Sequence, residues 1–217
     1  MTLLEFARGP ALQWSTIILV LGLILRIAGA WLLAHDKDYS RPRVDAAWRG
    51  GLRAVFSRFW PHQPFVRQTW FHILAGYVLH IGLFVVVFLY APHIAFIRDL
   101  TGLNWPGLPA NLVLFVGALT AASLVAFFVR RLVHPVMRTI STLDDYLSNL
   151  ITLAPLVTGI LAYAHFGGRY ETLLAIHLLS VSLLFVWIPL SKLAHVITFI
   201  PSRFQLGAWL GRRGVKA

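Results

Sequence analysis

The stretch that decides the fold is Leu173 to Thr198, LLAIHLLSVSLLFVWIPLSKLAHVIT, the last long apolar segment of the chain. It carries His177 and His195, which lie eighteen residues apart. At about 3.6 residues per turn that interval is about five turns, so a continuous helix would present both imidazoles on one face. The rise between them would be about 27 Å, close to the roughly 30 Å hydrocarbon thickness of a bilayer. We therefore predict a membrane helix with a nitrogen ligand near each surface, as two haems stacked across a membrane would require.

The composition of the 217-residue chain is typical of an integral membrane protein. Hydrophobic residues make up 58% of it and charged residues 12%, and few water-soluble domains cover so much apolar surface with so little charge. The first apolar run is long enough to span a bilayer, so we expect no cleaved signal peptide. The chain has no cysteine, which excludes disulfides, thiolate metal sites and iron–sulfur clusters held by this chain. A redox cofactor would therefore need histidine or methionine ligands.

Five apolar segments, each bounded by charge, proline or glycine, predict five transmembrane helices: 11–34, 68–91, 108–129, 147–165 and 172–191. All of them approach or exceed the roughly 17–25 residues that a spanning helix requires. The predicted fold class is all-α, with residues 1–217 forming a single membrane domain built as a bundle of five transmembrane helices.

The basic residues predict the orientation of this bundle. They cluster between the first two spans, after the third and after the fifth, whereas the opposite side carries only Arg8, Arg98 and Arg169. The positive-inside rule then places the N-terminus outside and the C-terminus in the cytoplasm of a multi-pass protein of the inner (cytoplasmic) membrane. This placement also explains the net charge of +11, so we expect no nucleic-acid partner.

The connection 35–67 is the longest segment outside the predicted spans. It intersperses Trp48, Phe56, Phe59 and Trp60 among arginines. Aromatic and basic residues in this pattern favour an amphipathic helix lying on the lipid headgroups over a docking surface for a cytoplasmic partner, although one segment can serve both.

A second helix must supply the ligands opposite His177 and His195, and the second span and its outer edge carry His72, His80 and His93. When two antiparallel membrane helices face each other, residues near the inner surface lie opposite one another, and so do residues near the outer surface. His195 would therefore pair with His72 or His80, and His177 with His80 or His93. The sequence spacing of the histidines leaves this choice open, because helix tilt changes the depth of a residue in the membrane by about one helical turn.

Other residues of the spans fit a cofactor between these helices. Arg26 is the only basic residue within a span, which indicates either a haem propionate partner or a side chain that snorkels to the cytoplasmic surface. Small residues beside the histidines would leave room for a flat macrocycle, although close packing between membrane helices explains them equally well. They are Ala75, Gly76, Gly82, Ala175 and Ser180.

Three motifs carry a family resemblance. They are Ile176-His177-Leu178 followed by Ile188-Pro189-Leu190-Ser191-Lys192-Leu193-Ala194-His195; Leu132-x-x-Pro135-x-x-Arg138 followed by Ser141-Thr142 and Asp145; and Gly22 with Arg26. In these motifs, and over most of its length, the chain resembles the cytochrome b (gamma) subunit of respiratory nitrate reductase and related membrane cytochromes of sulfur-metabolism redox complexes. Five spans with the N-terminus outside is also the architecture of that family.

The resemblance implies two b-type haems, each held by one histidine from the second span and one from the fifth. His80-Ile81-Gly82 matches the beginning of the family's second-span motif, and the next histidine is His93, after Pro92. A rival alignment matches Phe71-His72-Ile73 and makes His72 and His80 the ligands. Helical phase favours the first alignment. The preferred assignment is His80 with His195 and His93 with His177, and His72 stays the alternative ligand.

The resemblance further implies a dihaem subunit that oxidises quinol and passes electrons across the membrane to cytoplasmic iron–sulfur or molybdenum subunits. No terminal catalytic domain lies on this chain. Candidate quinol-site residues are Tyr90, Arg98 and Trp105. The alternative is the equivalent subunit of a heterodisulfide-reductase-like complex of sulfur metabolism. From other classes, a histidine-containing transporter would be expected to show inverted repeats, and a haem-free membrane anchor would not explain the spacing of the histidines.

Overall fold

The computed structural model describes residues 1–32, 39–60, 64 and 66–215, and every regular element within these ranges is helical. The elements are α1 (Leu3–Phe6), a π-helical turn (Ala7–Ala11), α2 (Leu12–Leu32), α3 (Ala47–Ser57), α4 (Val66–Leu89), α5 (Ala91–Thr101), α6 (Ala110–Val133), α7 (Pro135–Ile140), α8 (Leu143–Ala164), α9 (Tyr170–Leu190), a 3-10 turn (Lys192–Ala194) and α10 (His195–Arg212).

Five of these stretches are long and apolar enough to cross a membrane: Leu3–Leu32, Val66–Leu89, Ala110–Val133, Leu143–Ala164 and Tyr170–Leu190. The predicted all-α fold with five transmembrane helices is therefore confirmed, and the chain is a multi-pass membrane protein. The first span starts at Leu3 instead of residue 11, because a π-helical turn accommodates Pro10.

The chain divides into two compact units, one of Met1–Ile18 with Trp70–Trp187 and one of Leu19–Thr69 with Ile188–Ala217. In the first unit, hydroxyl side chains such as those of Thr120, Ser123 and Ser148 are buried together with apolar side chains. Thr120 is completely buried, and its hydroxyl donates to the carbonyl of Val116 on its own helix. A Cβ on Gly82 of α4 would collide with the Thr120 side chain of α6. Gly82 therefore allows α4 and α6 to pack closely, as small residues do in membrane bundles.

Side-chain hydrogen bonds join three helices of the first unit. The Trp187 indole of α9 donates to the Ser148 hydroxyl of α8 over 2.8 Å. The Tyr163 hydroxyl of α8 donates to the Asn111 side chain of α6 over 3.2 Å. These bonds link α6, α8 and α9 through groups that would lose energy if left unpaired in hydrocarbon.

The second unit contains a pair of closely packed helices, α3 and α10. Gly50 of α3 lies so close to Gly207 of α10 that a Cβ on either glycine would meet the carbonyl oxygen of the other. Ala54 and Gly211 extend the contact one turn along each helix. The connection 35–67 therefore contains the helix α3 among its described residues, and this helix packs against α10. Residues 35–38, 61–63 and 65 of that connection lie outside the described part of the chain.

The prediction of one continuous helix from Leu173 to Thr198 was wrong. Helix α9 ends at Leu190, Ser191 is extended (φ −118°, ψ −177°), and His195 begins α10 after a 3-10 turn. Pro189 lacks an N–H, and the helix end leaves its last carbonyls without partners within the helix. His177 and His195 therefore lie on different helices, and helical phase does not relate the directions of their side chains.

Candidate functional site

His93 and His177 are brought together in the first unit. Their imidazole rings have centroids 6.2 Å apart and planes within 11° of parallel. His177 lies within α9 and His93 in the first turn of α5, so the two rings come from different segments of the chain. Of the two candidate partners that depth matching left open for His177, His93 is the one whose ring lies against it.

A break in the second span positions His93. Helix α4 ends at Leu89, Tyr90 is extended (φ −89°, ψ 124°), and Ala91 and Pro92 open α5. Proline is tolerated there because the first N–H groups of a helix have no partner within it. The chain turns between Leu89 and Ala91, so the phase of a continuous helix does not determine the direction of the His93 side chain.

The break leaves three carbonyls at the end of α4 that three different groups satisfy. Val86 O lies 2.7 Å from His93 Nδ1, Phe88 O accepts from the Trp105 indole over 2.6 Å, and Leu89 O accepts from the Leu108 amide over 2.8 Å. The bond to Val86 O fixes the His93 ring and places its proton on Nδ1, since a carbonyl can only accept. The lone pair of the neutral ring is then on Nε2.

Residues of α8 surround the His177 ring. Its Nδ1 lies 3.3 Å from the Thr158 hydroxyl, which is also 2.9 Å from the Ser180 hydroxyl. Ser180 donates in turn to the carbonyl of His177 over 2.7 Å. A Cβ on Gly159 would stand 3.1 Å from His177 Cε1, so the absence of a side chain there leaves room for the ring. Thr158 and Gly159 were missed in the sequence, although an isolated glycine in a helix often marks a packing contact.

Burial keeps the imidazole of His93 neutral. Desolvation lowers the pKa of His93 below its usual value, and the hydrogen bond to Val86 opposes this effect. A neutral imidazole with one nitrogen engaged by a carbonyl is the form in which histidine binds metals.

His80 and His195 show the same local pattern in separate units. His80 Nδ1 lies 2.7 Å from Gly76 O on its own helix, and His195 Nδ1 lies 2.9 Å from Lys192 O. In both histidines the carbonyl acceptor again places a proton on Nδ1. Gly76 has nothing within 4 Å of where a Cβ would stand.

The alternative ligand His72 has aromatic surroundings. Its ring centroid is 5.9 Å from that of Phe71 and 5.7 Å from that of Phe127.

Of the three candidate quinol-site residues, Tyr90 has a ring contact with the histidine pair. Its ring stands edge-on to His93 with centroids 5.2 Å apart, and the Tyr163 ring follows at 6.4 Å. Burial raises the pKa of Tyr90, and the neighbouring tyrosines Tyr163 and Tyr170 raise it further, so the phenol keeps its proton. Trp105 instead satisfies the end of α4, and Arg98 forms an exposed ion pair with Asp99 at 3.0 Å.

Arg26 has a structural partner in the second unit. Its Nε donates to the Pro189 carbonyl over 2.7 Å, which satisfies one of the acceptors left at the end of α9. Pro189 also contacts Gly22, where a Cβ would collide with the proline ring. The Gly22 and Arg26 motif therefore has a packing role at the break in the fifth span.

Comparison with known proteins adds one relative. A protein of Nitratidesulfovibrio vulgaris (strain Hildenborough) is 29% identical to this chain over 208 residues, which cover 93% of this chain and 91% of that protein. Its name, "Protein", describes no function. No protein-family model matches the chain, and no solved structure matches it.

Proposed function

We propose that this protein is a dihaem b-type cytochrome subunit that carries electrons across the membrane between quinol and a cytoplasmic iron–sulfur or molybdenum partner. The observation that carries the proposal is the pair of parallel imidazoles of His93 and His177 in a chain of membrane-spanning helices. Haem iron can take two ligands beyond its porphyrin nitrogens, and two histidines from different segments of the chain could supply both.

The spacing of the two rings fits an iron held between them. A metal–imidazole bond is about 2 Å long. A ring nitrogen lies about 1.1 Å from the centre of a five-membered ring whose bonds are about 1.3 Å long. A metal-bound imidazole would therefore have its ring centroid about 3 Å from the metal, and the centroids of the His93 and His177 rings are 6.2 Å apart. The Nδ1 atom of each imidazole also lies within hydrogen-bond distance of an oxygen. Such a bond usually orients a histidine that binds a metal through its other nitrogen.

His80 and His195 are the proposed ligands of the second haem, with His72 as the alternative to His80. The tautomer of the two rings supports this assignment, because the Nδ1 atom of each imidazole faces a carbonyl oxygen. An imidazole within an otherwise apolar span, such as that of His80, usually marks a functional site in membrane proteins. When bound, the haems would supply one-electron transfer, and histidine on both sides would leave no position for oxygen.

The proposed quinol site lies at the outer end of this arrangement. Tyr90 is its central residue because its protonated phenol touches the His93 ring and can hydrogen-bond a quinol oxygen. Trp105 holds the break that presents Tyr90, and Arg98 lies on α5 beyond it. Quinol oxidation there would release protons on the predicted outer side of the inner membrane.

Gly159→Ala should perturb one haem without removing it. The added methyl would press on the His177 ring at 3.1 Å and turn it against its bond to Thr158. We expect a shifted electron paramagnetic resonance signal and a changed reduction potential for one haem, with haem content unchanged. Gly117→Ala is the matched control, because its new methyl would meet Val86 at an ordinary 3.4 Å. Equal changes in both variants would contradict the proposed role of Gly159.

The visible spectrum of the purified protein tests the proposal as a whole. Protein produced with ample haem should show sharp reduced α-bands of b-type haem that appear on addition of quinol. A colourless protein from such a preparation would overturn the proposal and favour a haem-free anchor. If dithionite reduced the haem but quinol did not, the cytochrome proposal would stand and the proposed quinol site would be wrong.

A further inference from the structure

An open apolar groove of about 830 Å³ runs along one side of α6 in the first unit. Its apolar lining includes Phe71 at the start of α4 and Ala122, Val125, Ala126, Val129 and Val133 on α6. Val125 and Val129 are each 47% exposed and Val133 is 71% exposed. Because α6 is a spanning helix, this face meets the acyl chains of the bilayer.

Two polar groups close the groove where α6 ends. Arg130 and His134 line it there, and Arg130 Nε and His134 Nδ1 are buried without a hydrogen-bond partner among the described residues. Buried polar atoms are nearly always paired in native proteins, so these two atoms show that the described residues leave the polar end of the groove incompletely satisfied.

The positive charge of Arg130 is held in place but not neutralised. Its guanidinium lies 4.8 Å from the centre of the Phe71 ring, a cation–π contact that keeps it at the mouth of the groove. The neighbouring Arg131 differs, because it pairs with Asp145 at 3.6 Å and donates to the Ser141 hydroxyl at 2.9 Å. No ion pair to Arg130 is present among the described residues.

We propose that this groove, formed by Phe71, α6 and the turn at His134, binds an anionic phospholipid. The phosphate pairs with the Arg130 guanidinium, and one acyl chain lies along Val133, Val129 and Val125. The position fits a lipid because α6 ends at Val133, so the two polar groups stand at the depth where headgroups begin. A negative headgroup also complements the charge of Arg130. This site is independent of the haem proposal.

Native mass spectrometry of the detergent-purified full chain tests the site. Phosphatidylglycerol should bind more tightly than phosphatidylcholine with the same acyl chains. Arg130→Gln should weaken phosphatidylglycerol binding about fivefold, since one basic residue at the membrane surface contributes about a factor of five in affinity. Arg138→Gln removes the same charge from the exposed helix α7 and should leave the affinity unchanged.

A second variant keeps the test decisive if Arg130→Gln folds poorly. Ala122→Trp fills the groove without touching the cationic end and should abolish phosphatidylglycerol binding. Unchanged binding in Ala122→Trp or Arg130→Gln would overturn the proposal, and so would equal losses in Arg130→Gln and Arg138→Gln. Inorganic phosphate that binds as tightly as the lipid would also overturn the proposal. So would a quinone or a peptide that occupies the groove in place of the lipid.

Discussion

Replacing His177 by alanine should yield a protein with one haem instead of two, and His93→Ala should yield the same product. The reason is their shared geometry: the parallel rings stand 6.2 Å apart, so each variant would remove one proposed ligand of the same haem iron. A five-coordinate haem without its second histidine is expected to be lost or converted to a high-spin form. The measurement is haem content per chain together with the low-temperature spectrum, in which both variants should lack the same α-band component.

Two further variants complete this experiment. His195→Ala should remove the other component, because His195 is the proposed ligand of the second haem. His134→Ala should retain both haems, since its side chain lies at the end of α6 beside Arg130. If His93→Ala kept both haems while His72→Ala lost one, the rival alignment would be correct and the His93–His177 contact would have another role.

Gly207→Leu should detach α3 from α10. A side chain at Gly207 would meet the Gly50 carbonyl and the Ala54 methyl group, and backbone atoms cannot move aside as a flexible side chain can. Overpacking typically costs about 1–3 kcal/mol and occasionally more. We expect faster trypsin cleavage after Arg49 and Arg53, which are exposed but held in a helix, because cleavage requires that helix to open.

Gly29→Leu is the matched control for this experiment. It introduces the same side chain into another helix of the second unit, where nothing lies within 4 Å of the new Cβ. Trypsin cleavage after Arg49 and Arg53 should stay at the wild-type rate in this variant. Equal cleavage of Gly207→Leu and the wild-type protein would mean that the α3–α10 contact does not hold α3 in place.

The sequence contains a pattern of small residues that is typical of the close contact between α3 and α10. Gly50 and Ala54 are four residues apart, as are Gly207 and Gly211, and small residues at that spacing let two helices approach closely. No helix was predicted beyond residue 198, so the second partner was missing. Such spacing occurs in many helices, and only the structure shows which two of them meet.

The number of spans and their approximate bounds follow from the sequence, because burial of apolar side chains in hydrocarbon depends on composition and length alone. The breaks at Tyr90 and Ser191 depend on the tertiary structure. A helix can end within or near the membrane only if its last carbonyls find donors, and here these donors lie outside the helix that ends: His93, Trp105 and Leu108 for α4, and Arg26 for α9. The break at Tyr90 also turns His93 toward His177, which no periodicity of a continuous helix predicts.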